Sequence, residues 1–202
     1  MRNRKDGEKT RSRILKAASE VFSEKGFHEA THAQICRRAN ANTAAINYHF
    51  GSKEELYREV WQHTIATMNC LYPVGGAAVA GESPEERLLH FIKTLLSKMT
   101  ARGEFGDSHR LHLQEIHHPT GIIDDLLRQS RAPYQAYLLL IIRELLGPGA
   151  GENTIKYCEK SIIGQVRAFR FGLQNPPFSK TPHPNGKKID QLAEHIARFS
   201  LA

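Results

Sequence analysis

Residues Thr31-His32-Ala33-Gln34-Ile35-Cys36-Arg37-Arg38-Ala39-Asn40-Ala41-Asn42-Thr43-Ala44-Ala45-Ile46-Asn47-Tyr48-His49-Phe50 decide how this chain folds. Thr31 is of the type that accepts a backbone N–H at a helix start, and Ile35, Cys36 and Ala39 then recur at the spacing of one inward helix face. Asn40-Ala41-Asn42 interrupts the pattern. Asparagine tolerates the left-handed backbone of a tight turn, and Asn42 can cap a following helix from about Thr43 to His49, with Ile46 and Phe50 inward. Two short helices across a three-residue turn form a helix-turn-helix, the arrangement that presents its second helix to a major groove. Helical spacing leaves Thr43, Ala44, Asn47, Tyr48 and His49 outward. Asn can bond an adenine edge at two points, Thr and Ala methyls can touch thymine methyls, and Tyr and His can reach phosphates.

Upstream, Ile14, Leu15, Ala18, Val21 and Phe22 form an amphipathic stripe whose helix stops at Gly26. Downstream, Ser52-Lys53-Glu54-Glu55 is a capping box that opens a fourth helix running to about Leu71. Lys53, with the backbone N–H groups of the fourth helix start, is suited to phosphate contact, and Thr31 and His32, where the second helix begins, are further candidates for DNA binding. Charge supports an anionic partner. The formal net charge is +7, and residues 1–16 carry seven basic side chains against two acidic ones. Arg2, Arg4, Lys5, Lys9, Arg11 and Arg13 therefore read as a DNA-touching arm or a solvated tail, with Lys9 to Arg13 nearer to phosphate.

The 202 residues are 40% hydrophobic and 24% charged, enough for a sizeable core. The longest apolar run, Ala136 to Ile142, is far short of the ~20 residues of a membrane span. No apolar stretch follows the charged N-terminus as a secretory signal would require, so a cytoplasmic location is expected, with no membrane partner. Cys36, Cys70 and Cys158 are unpaired by spacing and read as reduced. Breakers between Tyr72 and Pro84 mark a boundary, giving expected domains at 8–71 and 72–202. Beyond it, helical patterns cover Pro84 to Ala101, Asp107 to His118, Ile122 to Leu146 with a kink at Pro133, Glu152 to Leu173, and Lys187 to Leu201. An irregular excursion is expected over Asn175 to Gly186. With no strand-like alternation, the chain reads as all-α, with about nine helices.

The span Ile14 to Tyr57 resembles the N-terminal domain of the TetR/AcrR family of bacterial transcriptional regulators. The resemblance rests on Ile14, Leu15, Ala17 and Ala18, on Phe22, Gly26 and Phe27, on Thr31, Ile35, Ala39 and Ile46, and on Tyr48-His49-Phe50 and Ser52 to Leu56. Cys36, Asn40 and Ala41 depart from the family's usual alanine, glycine and valine. The resemblance implies a homodimer that binds a near-palindromic double-stranded operator, usually as a repressor, and is released by a small molecule bound in the larger helical C-terminal domain. Glu152 to Leu173 and Lys187 to Leu201 are then candidates for the intersubunit bundle.

Polar groups that could orient such an effector are His112, Glu115 and Gln165; Arg167 and Arg170 could hold an acidic ligand or a partner carboxylate. No cofactor is expected, and no nucleophile, base and orienting group converge as an enzyme would require. The alternative is a metal-responsive regulator or metal-dependent enzyme using His109, His112, His117 and His118, whose three- and four-residue steps share helix faces. No H-E-x-x-H pattern or paired cysteine supports it.

Overall fold

The computed structural model describes residues 2–75, 81–100, 108–172 and 186–202, with the backbone alone for 2–5, 109 and 170–172. Among the described residues there are nine α-helices and no strand: α1 Arg2–Glu29, α2 His32–Ala39, α3 Thr43–Phe50, α4 Lys53–Leu71, α5 Pro84–Thr100, α6 Ser108–His117, α7 Asp124–Leu146, α8 Glu152–Gly172 and α9 Gly186–Leu201. The expected kink at Pro133 does not end α7, which continues as helix on both sides of it. The excursion expected over Asn175 to Gly186 lies, but for Gly186, outside the described residues.

Helix ends follow local chemistry. In α1 the helical dihedrals break at Gly26 (φ 74°, ψ 174°), where a Cβ would meet the Gln114 side chain at 3.0 Å. Glycine there satisfies both the left-handed backbone and the close approach of α6. Thr31 and Gln34 cap α2 reciprocally, the Gln34 N–H donating to Thr31 Oγ1 at 3.3 Å and the Thr31 N–H to Gln34 Oε1 at 3.1 Å. Ser52 and Glu55 do the same for α4, at 3.0 and 3.1 Å, and Ser83 and Glu86 for α5.

The chain divides into two compact units, residues 1–67 with 101–128, and 68–100 with 129–202. This grouping differs from the simple cut expected after residue 71. The reason is packing. α6 lies along α1, its Leu111 entering the core made by Ile14, Ala18 and Phe22 of α1, Ile35 of α2, Ile46 of α3, and Leu56, Tyr57 and Trp61 of α4. Each such large side chain, removed wholly from water, contributes about 1.5–3 kcal/mol. Arg58 of α4 further holds the start of α7, donating to both Asp125 carboxylate oxygens at 2.9 and 2.8 Å and to the Ile122 carbonyl.

In the second unit α5 packs on α8 and α9, and those two on each other, around Phe91, Ile92, Leu96, Leu138, Ile141, Val166, Ala193 and Ile196. Three contacts give the direction of α5 against α7: Lys98 with Tyr134, Phe91 with Tyr137, and Arg87 with Glu144. Descending numbers on one helix meet ascending numbers on the other, so the pair is antiparallel.

Candidate nucleic-acid interface

The turn before α3 is built as its residue types require. Asn40 sits at φ 48°, ψ 54°, and its N–H, with that of Ala41, closes the end of α2 on the carbonyls of Arg37 and Cys36. Asn42 caps α3 by accepting the Ala45 N–H at 2.8 Å. Ile46 and Phe50 are buried, which fixes the rotation of α3 about its axis. Thr43, Ala44, Asn47 and Tyr48 are consequently exposed, and Tyr48 is 85% exposed. An aromatic ring so free of its own protein is available for a partner surface. His49 is half-buried, its ring 5.0 Å from Tyr48 and 6.2 Å from Phe50.

At the flanks the structure is more specific than the sequence. Thr31 is exposed; its oxygen accepts the capping bond while its hydroxyl proton stays free to donate to a phosphate. His32, beside it, is half-buried, with Nε2 enclosed and unpaired among the described residues. The Lys53 ammonium lies 4.5 Å from the centroid of the Phe27 ring and 3.5 Å from the His28 carbonyl, and partial burial pulls its pKa below the usual lysine value. It is thus held at the mouth of α4.

The basic N-terminus is helical from Arg2, as the first turns of α1. The side chains of Arg2, Arg4 and Lys5 lie outside the described residues. Lys9 and Arg13 are exposed, but Arg11 bonds Glu59 of α4 at 2.7 Å and stands 5.0 Å over the Phe50 ring. Arg11 therefore ties α1 to α3 and α4, a role that sequence spacing could not reveal across 48 positions. Cys36 has a similar role that its spacing does not show: its Sγ lies 3.8 Å from Thr43 Oγ1, joining α2 to the first residue of α3.

The residues named for an effector are divided between the two units. His112 and Glu115 belong to the first unit and Gln165 to the second. Glu115 is 6% exposed, with its carboxylate accepting from Tyr57 Oη at 2.7 Å and from the Thr120 N–H and hydroxyl at 2.8 and 2.9 Å. Burial pushes the Tyr57 phenol up, which keeps its proton on the donor side of that bond. His112 packs edge-on to Trp61 at 4.9 Å. Gln165 is half-buried and Arg167 exposed on α8, while the Arg170 side chain lies outside the described residues.

The metal reading finds no support: among the described residues no three His, Cys, Asp or Glu side chains come together as a metal site needs. His117 and His118 are exposed, and the His109 side chain is not among those described. No helix among the described residues is long and apolar enough to cross a membrane.

Residues 14–60 match the family described as bacterial regulatory proteins, tetR family, and residues 84–202 match the C-terminal domain of the HTH-type transcriptional dual regulator CecR. The chain belongs to the TetR family of transcriptional regulators. Among its TetR-family relatives, the HTH-type transcriptional repressor NicS of Pseudomonas putida is 43% identical over 75 residues, 34% of this chain and 35% of that protein. The match thus spans about a third of NicS. The dual regulator CecR of Shigella flexneri is 26% identical over 177 residues, 83% of this chain and 78% of CecR. A TetR-like transcriptional regulator from Rhodococcus sp. RHA1 shares the fold, with a TM-score of 0.67 at 19% identity over 95% of both chains.

Proposed function

We propose that this TetR-family regulator is a homodimeric, cytoplasmic repressor that binds a near-palindromic DNA operator and releases it when a small molecule enters the helical region after residue 72. The observation that carries the DNA-binding part is the exposed row Thr43, Ala44, Asn47 and Tyr48 on a helix whose rotation Ile46 and Phe50 lock. Those four side chains read base edges and thymine methyls, while Thr31, His32, His49 and Lys53 meet phosphates.

One short helix reads too few base pairs for specificity, so two copies must act together, their recognition helices about 34–36 Å apart in successive major grooves. Exposed Tyr157 on α8 and Phe199 on α9, 68% and 66% exposed, support those helices as the dimer face. α4 and α7 each contribute to both units, so a ligand that prefers a different setting of these helices lowers operator affinity by linkage. Gln165 is the polar contact offered to the effector from the second unit, and Glu115 serves to hold α6.

Selection of bound duplexes from a random pool, with the purified full chain, tests this reading. An enriched inverted repeat supports it, and a pool that stays random after repeated rounds refutes it.

A further inference from the structure

Three arginines of this protein that are partly withdrawn from water have carboxylate partners: Arg11 with Glu59, Arg58 with Asp125 and Arg87 with Glu144. Lys98, near the end of α5, is different. Its ammonium donates to Asn69 Oδ1 at 2.7 Å and to Tyr134 Oη at 2.9 Å, and lies 4.2 Å from the centroid of the Tyr134 ring. Among the described residues no carboxylate pairs with it. Lys98, Asn69 and Tyr134 all belong to the second unit.

The direction of each bond defines what the cluster can still do. Tyr134 donates its own proton to the Tyr72 carbonyl at 2.5 Å, so its oxygen must accept from Lys98. Asn69 accepts from the ammonium through its oxygen, so its amide nitrogen keeps two N–H groups to donate. Among the described residues, one N–H of Lys98 and the two of Asn69 are therefore uncommitted donors beside a positive charge that no carboxylate pairs. A partly buried ammonium facing only neutral oxygens is costly, and burial pulls the Lys98 pKa down to about 8. An anion with two acceptor oxygens would remove that cost and form charge-assisted bonds of ~2.7–2.9 Å.

We propose that Lys98, Asn69 and Tyr134 form an anion subsite that takes the carboxylate group of the effector, Lys98 and Asn69 donating to its two oxygens while Tyr134 holds the ammonium in place. This rests on the effector-released regulator proposed above and names the chemical class of its ligand: an organic acid rather than a neutral or cationic molecule.

The test measures how fast the Lys98 amine of the full-length protein is reductively methylated, read by mass spectrometry of its peptide. The probes are benzoate and octanoate, their uncharged amides of matching shape, and inorganic phosphate. At a concentration ten times its Kd, a carboxylate should slow modification at Lys98 about tenfold, as site occupancy dictates, and leave exposed lysines such as Lys16 unaffected. The amides should give no protection.

In Lys98→Met, which keeps the length of the side chain without its charge, both acids should lose the rise in Tm that they give the wild type. Equal protection by acid and amide, protection by none of the acids, or an undiminished rise in Lys98→Met overturns the proposal. Phosphate protecting better than either acid also overturns the carboxylate assignment, since the subsite would then serve a phosphorylated molecule. Operator binding is measured on the same samples. If the acids occupy Lys98 while the operator stays bound, the anion subsite stands and the effector-release reading fails; if protection is absent while specific operator binding is intact, the subsite alone fails.

Discussion

The hydroxyl of Tyr57 on α4 donates a 2.7 Å hydrogen bond to the buried carboxylate of Glu115 on α6. Further bonds to that carboxylate come from Thr120, which begins the turn into α7. One buried charge therefore gathers three segments of the first unit, although Tyr57 and Glu115 stand 58 positions apart in the chain. Tyr57→Phe leaves Glu115 short of a donor and should lower unfolding stability by about 1.5–3 kcal/mol, the range for hydrogen bonds to charged groups. Urea denaturation measures this. A decrease below about half a kcal/mol, under the usual range for such bonds, would mean that the carboxylate finds water instead.

Arg58 and Asp125 predict an acid-dependent loss of stability. The guanidinium holds the Asp125 carboxyl down to about 2, from an ordinary value of 3.8. A carboxyl depressed in the folded state stabilises above its unfolded pKa and loses that contribution as pH falls through the folded one. The advantage of the wild type over Asp125→Asn should be full at about pH 6 and fade between about pH 4 and pH 2. The pair is partly open to solvent, so the effect is small and screened by salt. Thermal unfolding of both proteins across that window, at low salt, reads it; a constant difference down to the acid end would contradict the assignment.

Asn40 is the one described residue other than glycine with a positive φ, at 48°. Asn40→Gly should stabilise the protein by up to ~1 kcal/mol, because glycine meets no Cβ penalty in that conformation, and Asn40→Ala should destabilise it by ~1 kcal/mol or more. Chemical denaturation of the two variants gives opposite signs on this account and the same sign if the turn rearranges.

Much of this was legible because it is local. The Thr31 and Ser52 caps, the left-handed Asn40 and the inward Ile46 and Phe50 lie within a few residues of the partners that explain them. The place of α6 was not legible, since nothing near Leu111 or Glu115 announces that they belong with Phe22 and Tyr57. The same distance hid Arg11 in its bond to Glu59, although its charge and position suited a role on DNA. The contacts of Glu115 with Tyr57 and of His112 with Trp61 were not legible either, because a polar residue on an amphipathic helix has the same pattern whether it meets a ligand or another side chain.

Asn47 and Lys53 should separate recognition from attachment. If Asn47 reads a base as proposed, Asn47→Ala should cost about 1–3 kcal/mol, with preference relaxed at one position of each half-site. Lys53→Ala should weaken all sequences alike and reduce the slope of log affinity on log salt by ~0.9 for each phosphate that each subunit no longer neutralises. Binding isotherms at several salt concentrations distinguish them. Equal loss of discrimination in both variants would contradict this assignment of roles.

The central claim is that the exposed face of α3 reads sequence. Its most direct measurement is the affinity, at one fixed near-physiological salt concentration, for the duplex recovered from a random pool and for a scrambled duplex of the same length and composition. The account predicts a recovered inverted repeat bound by two copies of the chain and at least ~10³-fold more tightly than the scrambled duplex. Equal affinity for the two duplexes, or tight binding by one copy alone, would contradict it.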